Sequence, residues 1–332
     1  HIASAVHWVM RRRRRRRGDV LSLEFSAAER CVGGVYPSEV RLSPRPEILR
    51  AHRNVVMNRV AIISAKAMLF TLLLTFNCVL MAQPDRFSNV VIEATQLTDS
   101  VYMLTGAGGN LAVSVGADGL LLVDDQYAAM AERIAEALAN VSSTAEAHQS
   151  LKYVINTHHH GDHTGGNDFF AKAGATIVAS EAARVRLLAR VPSQDNPLPV
   201  ITYHEGVHIY FNDDRLNLVV LEGHTDGDTA VYFEGANVLH AGDLFFNKRF
   251  PFIDTDSGGS VGAYLSSQEK LLAMINDDTQ VVPGHGPIAR RSDLMAVHAM
   301  IRATHKSVIE DIGAGLSLSS IQEKGLDDMY QS

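Results

Sequence analysis

The sequence holds 332 residues, 46% hydrophobic and 20% charged, with a mean hydropathy of 0.00, so its bulk reads as globular protein rather than disordered, collagenous or coiled-coil chain. Its net charge of -7 conceals a split: residues 1–82 carry 14 basic and 5 acidic side chains, the remainder 16 and 32. A body that acidic lacks the clustered cations that grip nucleic-acid phosphates, and two cysteines, Cys31 and Cys78, are too few for a disulfide scaffold.

The chain opens on His1 and runs into seven consecutive arginines, Arg11 to Arg17. Residues 18–56 show no sustained period of 2 or 3.6 and scatter Pro37, Pro44 and Pro46, so residues 1–56 read as an upstream segment, non-native or disordered. A cationic arm for nucleic acid or an anionic membrane is the alternative. From Met57 the text changes. Arg59 and Lys66 precede an apolar run over 67–82, which ends at Ala82 before Gln83-Pro84-Asp85. A positive start, an apolar middle and a small residue at the end predict a signal peptide over 57–82, hence a secreted or periplasmic protein. The apolar run is shorter than the ~20 residues a spanning helix needs, so no stable membrane anchor is expected after cleavage.

The body, 83–332, reads as one α/β domain. Short apolar runs predict strands over 90–94, 101–104, 111–115 and 120–123, with Ala117-Asp118-Gly119 as a hairpin turn. A helix follows over 128–139, then a buried strand over 151–156 and a helix holding 169–173. A second series of strands covers 175–179, 207–211, 216–221, 230–233 and 238–240. Helices at 260–275 and 291–312 flank a strand at 280–282. Two facing sheets with helices outside would bury this pattern.

The chemistry lies in histidines and aspartates at strand ends. Thr157-His158-His159-His160-Gly161-Asp162-His163 puts four imidazoles and a carboxylate just past a buried strand. Imidazole and carboxylate suit zinc and other first-row divalent metals. Three later strands end the same way, at Gly223-His224-Thr225, Ala241-Gly242-Asp243 and Pro283-Gly284-His285-Gly286, each setting a ligand beside glycine at the start of a loop.

With these motifs the sequence resembles the metallo-β-lactamase-fold hydrolases over residues 90–312. The resemblance implies an αββα sandwich of two mixed sheets flanked by helices. It also implies two zinc ions, with His158, His160 and His224 on the first, Asp162, His163 and His285 on the second, and Asp243 bridging them. Asp124, in Leu121-Leu122-Val123-Asp124-Asp125, matches an acidic residue that supports the ligand loop. His159 is expected to act as a spacer turned away from the metals. Zinc β-lactamases of the cysteine type carry Cys where this chain has Asp243, and an aspartate there is more usual in relatives that cleave lactones, thioesters or phosphodiesters.

Two zinc ions ~3.5–4 Å apart would lower the pKa of a bridging water from 15.7 to near 7, with Asp162 orienting it or moving its proton. The resemblance thus implies a zinc-dependent hydrolase opening a cyclic amide of β-lactam type or a related acyl compound. A lactonase or a thioesterase of the hydroxyacyl-glutathione type is the alternative. A phosphodiesterase or RNA-processing nuclease, or a metal-binding protein without activity, stands further off, and no nucleic-acid partner is expected of so acidic a body. The run Leu244 to Phe252 follows Asp243 directly, and Phe246, Lys248 and Arg249 within it are the candidate contacts of a small-molecule substrate, a cation pairing with its carboxylate. The proline-bearing stretch 191–199 lies between the two halves as a possible rim.

Overall fold

The computed structural model describes residues 86–142, 151–190 and 197–325. The expected upstream segment over 1–56, the expected signal peptide over 57–82 and residues 191–196 of the proline-bearing stretch lie outside them.

The first half builds one sheet in chain order. Strands β1 (Glu93–Gln96), β2 (Val101–Thr105), β3 (Leu111–Gly116) and β4 (Gly119–Val123) form an antiparallel meander, with Gly116 paired to Gly119 across the tight turn. Helix α1 (Ala131–Val141), which a 3₁₀ turn over Ala128–Met130 leads into, precedes β5 (Leu151–Asn156). Then come the single turn α2 (Gly161–Thr164), α3 (Asn167–Lys172), β6 (Thr176–Ser180), α4 (Glu181–Arg190) and β7 (Ile201–Tyr203). From β4 to β7 the pairing is parallel, so each strand must be reached by a crossover, and these helices supply it.

The second half builds the other sheet. Strands β8 (Gly206–Phe211), β9 (Asp214–Leu221), β10 (Asp228–Phe233) and β11 (Val238–His240) run antiparallel. After α5 (Val261–Met274), β12 (Gln280–Val282) joins β11 in parallel and β13 (Ala289–Arg290) closes the edge, before α6 (Arg291–Gly313) and α7 (Leu318–Lys324). Both sheets are therefore mixed.

Apolar side chains of the two sheets meet in one core. Met103, Leu121, Val123, Ile155 and Val178 of the first pack with Leu216, Leu218, Val231, Phe233 and Val282 of the second. On the outer face of the second sheet Leu221, Leu239 and Val281 bury Tyr264 and Leu271 of α5 and Leu294 and Ile301 of α6. Helices α1, α3 and α4 lie against strands of the first sheet. Among the described residues no helix is long and apolar enough to cross a membrane.

The first strand lies three residues later than its apolar run predicts, at the exposed edge where packing does not fix its register. Helix α4 and strand β7 carry no periodic signal: α4 buries only Ala183 and Leu187, and two of the three β7 residues are exposed.

Candidate metal centre

Every donor side chain leaves the end of a strand at one rim of the two sheets. The last three residues of strand β5 are buried, and the chain then turns through Thr157 to His160 into α2, which carries Asp162 and His163. From the second sheet come His224 after β9, Asp243 in a 3₁₀ turn after β11, and His285 after β12.

These donors fall into two groups. In the first, His158 Nε2, His160 Nδ1 and His224 Nε2 lie 2.8–3.2 Å from one another. In the second, His163 Nε2 and His285 Nε2 are 3.4 Å apart, with Asp162 Oδ2 3.9 Å from the former and 3.5 Å from the latter. Asp243 stands between the groups. Its Oδ2 lies 3.3 Å from His224 Nε2 and 3.8 Å from His158 Nε2, its Oδ1 3.1 Å from His163 Nε2 and 3.5 Å from His285 Nε2.

The donors fit divalent metal. Ligands held tetrahedrally at zinc–nitrogen bonds of ~2.0–2.1 Å stand about 3.3 Å apart, close to the spacing of the first group. Asp243 is buried and turns its two oxygens to ring nitrogens of both groups at 3.1–3.8 Å, an acceptor pair that a cation on either side would satisfy. Burial pushes His224 down to about 4 and His158 well below the usual imidazole range, so both are neutral ligands at pH 7. Burial also opposes charge on His163, but the carboxylates of Asp243 and Asp124 outweigh it and hold the ring well above its usual range. Asp243 is held well below the carboxylate range by His163, His224 and His158, against its burial.

Around the donors a layer of hydrogen bonds fixes which nitrogen faces inward. Asp124, fully buried and in the left-handed region (φ 61°), accepts from Thr157 N at 2.7 Å, Thr157 Oγ1 at 2.8 Å and His163 Nδ1 at 2.7 Å. Thr157 Oγ1 in turn lies 3.1 Å from His158 Nδ1. His160 Nε2 meets Asp254 Oδ2 at 3.0 Å, and His224 Nδ1 donates to Phe252 O at 2.7 Å. On the other side Asn110 donates from Nδ2 to Pro283 O and Gly286 O, both at 2.8 Å, and pins the loop of His285. Two glycines let backbone come this close: a Cβ on Gly109 would collide with the His163 ring, one on Gly284 with Asp243 Oδ1.

His159 belongs to neither group. Its buried ring lies 3.4 Å from Ser257 Oγ, burial lowers it to about 3, and its carbonyl accepts from Arg190. Phe246 stacks on His285 with ring centres 5.1 Å apart, whereas Lys248 and Arg249 are exposed on the arch that follows. Asp254 and Phe252 are partners that the sequence does not announce. Asp254 lies 94 positions from the histidine it meets, and Phe252 acts through a carbonyl that every residue owns.

Residues 108–285 match the sequence model of the metallo-β-lactamase superfamily, a span that ends on the last donor histidine, His285. A hydroxyacylglutathione hydrolase of Gloeobacter violaceus is 31% identical over 132 residues, 37% of this chain and 50% of that protein. One of Methylococcus capsulatus is 34% identical over 97 residues, 29% of this chain and 34% of that protein. The chain thus spans half or less of the length of these relatives. Among solved structures, a metallo-β-lactamase of Pontibacter korlensis superposes with a TM-score of 0.54 at 19% identity, over 64% of this chain and 99% of that one. At such identity the likeness is one of fold.

Proposed function

The chain belongs to the metallo-β-lactamase superfamily, and from that premise we propose that it is a metal-dependent hydrolase acting on acyl thioesters. The observation that carries this reading is the set of seven inward-facing histidine and aspartate donors, in two groups joined by Asp243. Two zinc ions, or other first-row divalent metals, are the cofactor that such donors suit.

A bound pair of ions of this kind activates water near neutral pH and polarises a carbonyl. The protein's own share follows from its geometry. Asp162, 25% exposed beside His163 and His285, is the carboxylate at the mouth of the centre, placed to orient the attacking water or take the proton it gives up. Phe246 covers one side of His285, and Phe252 has its ring centre 5.8 Å from that of His224, so aromatic rings shield both groups from bulk water. Lys248 and Arg249, exposed cations in an acidic body, suit a substrate carboxylate.

Two features favour a thioester over the cyclic amide. The two relatives described above are named hydroxyacylglutathione hydrolases, while the lactamase resembles this chain in fold alone. An aspartate, Asp243, also stands where the cysteine-type lactamases carry a thiolate. The test is hydrolysis of a hydroxyacyl-glutathione thioester and of a chromogenic cephalosporin by the zinc-loaded full chain, with Asp162→Ala as control. Thioester turnover that the control loses is expected. Cephalosporin turnover alone, or none at all from a chain that binds two metal ions, would refute the proposal.

A further inference from the structure

The nitrogens of the first donor group come from two loops that belong to different sheets, and helix α4 is bonded to both loops. At its start Ser180 Oγ donates to Gly227 O at 2.7 Å while accepting from Ala183 N at 3.2 Å. Farther along, Arg186 Nε and Nη2 each donate to one oxygen of Asp226, both at 2.6 Å. At its end Arg190 Nη1 donates to His159 O at 2.9 Å, between the two donor histidines of that loop. The approach is tight, since a Cβ on Gly227 would stand 2.9 Å from Ala182 Cβ and from Ala183 N.

Asp226 carries the link onward. Its N–H donates to Ser257 O at 3.0 Å, and the same turn presents Asp254, whose N–H donates to His224 O at 2.9 Å and whose carboxylate meets His160 Nε2. The side-chain hydrogen bonds at α4 therefore lead to the loops that carry His158, His160 and His224. Among the described residues its hydrogen bonds reach neither Asp162, His163 nor His285: His163 leans on Asp124, the loop of His285 on Asn110, and the Asp162 carbonyl accepts from Gly109 N.

Resting on the metal reading of the centre, we infer that α4 is the frame of the first metal position, with Arg186, Asp226 and Arg190 as positioning residues that set the spacing of three nitrogens they never touch. Loops have little stiffness of their own, and donors must hold their places to about 0.5 Å for a site to bind well. The Arg186–Asp226 pair is partly exposed, with side-chain accessibilities of 28% and 38%, so it adds little to the stability of the fold. Its geometry is another matter: the two-pronged grip of the guanidinium fixes direction as well as distance.

The experiment is a Co²⁺ titration of the metal-free full chain, competed against a chromogenic chelator, for the wild type and for Arg186→Gln, Arg190→Gln and the double variant. One of the two stepwise dissociation constants is expected to rise about 10-fold or more, in the range typical of outer partners of metal ligands, with the other within about twofold. The shifted ring N–H signals of the first-group histidines should move in the Co²⁺ spectrum while that of His163 stays. Arg186→Lys keeps the charge without the fork and should fall between wild type and Arg186→Gln. Unchanged constants, or equal weakening of both, would overturn the inference; a wild-type chain that binds no Co²⁺ would instead overturn the metal reading beneath it. The melting temperature of each metal-free variant separates a change at the site from a loss of fold.

Discussion

Replacing Asp124 by asparagine keeps its size and shape, yet it should reverse the proton placement on two donor histidines at once. Oδ2 of Asp124 accepts both the Thr157 hydroxyl and the His163 Nδ1 hydrogen. With its own proton committed to Asp124, Thr157 Oγ1 is free to accept from His158 Nδ1 at 3.1 Å. One carboxylate oxygen thus keeps a proton on Nδ1 of both rings, so that Nε2 is the nitrogen each ring can offer to a cation. In the asparagine variant the amide oxygen must stay on Thr157 N, since the opposite flip would set two donors against each other, and this puts the NH₂ where Oδ2 was. Thr157 then accepts from the amide and gives its proton to His158 Nδ1, and His163 Nδ1 is likewise made an acceptor. Both Nε2 atoms acquire hydrogens where lone pairs are needed. Losing such a partner costs 10–100-fold in metal affinity; two histidines misdirected together should cost about 100-fold or more, about 3 kcal/mol at 1.4 kcal/mol per decade. A chelator-competition titration measures the affinity, and ¹⁵N shifts of the rings report the tautomers. Affinity within about threefold of wild type, with the His163 proton still on Nδ1, would refute the reasoning.

Asp162→Ala should lower thioester turnover by at least about 100-fold, as expected for loss of a positioned proton acceptor, while one equivalent of metal stays bound in the first group; elemental analysis beside the assay checks both. Gly284→Ala places a methyl against Asp243 Oδ1 and should destabilise the chain by about 1–3 kcal/mol, as overpacking does, with metal content falling below wild type after purification. His224 titrates at about 4 in the folded chain against 6.5 for an ordinary imidazole, so between those values the unfolded state binds the proton and the folded state does not. Stability of the metal-free protein should therefore fall as pH drops from about 6.5 to 4, by about 3 kcal/mol from this one residue, which urea midpoints at the two ends of that window will show. Chelation should lower the melting temperature without abolishing the transition, because ligand loss removes only the binding contribution to stability.

The strands that the sequence places without error, 151–156, 238–240 and 280–282, each hold a short buried apolar stretch, Val154-Ile155, Val238-Leu239 and Val281-Val282, beside a loop signal. Helix α4 was illegible for the opposite reason. It holds three arginines and two buried side chains, and its work is done by polar side chains that grip distant loops. The donors themselves were readable because each must follow a strand and stand beside a residue that lets backbone come near. Asp254 and the Phe252 carbonyl obey no such rule: they meet His160 and His224 through the path of the arch from 247 to 254, and nothing local in the sequence describes that path.

His163 and His285 stand 122 positions apart in the chain, and no donor belongs to the apolar core between the sheets. The four donors of 158–163 are neighbours from the start, yet they lack His224, Asp243 and His285 until the second sheet has docked. The complete donor set exists only in the folded chain, and an ion would reach it through the few donors that keep some accessibility: His160 at 13%, His285 at 17% and Asp162 at 25%. Since imidazole and carboxylate discriminate weakly among first-row ions, the ion a molecule carries would record the supply in the compartment where its folding was completed.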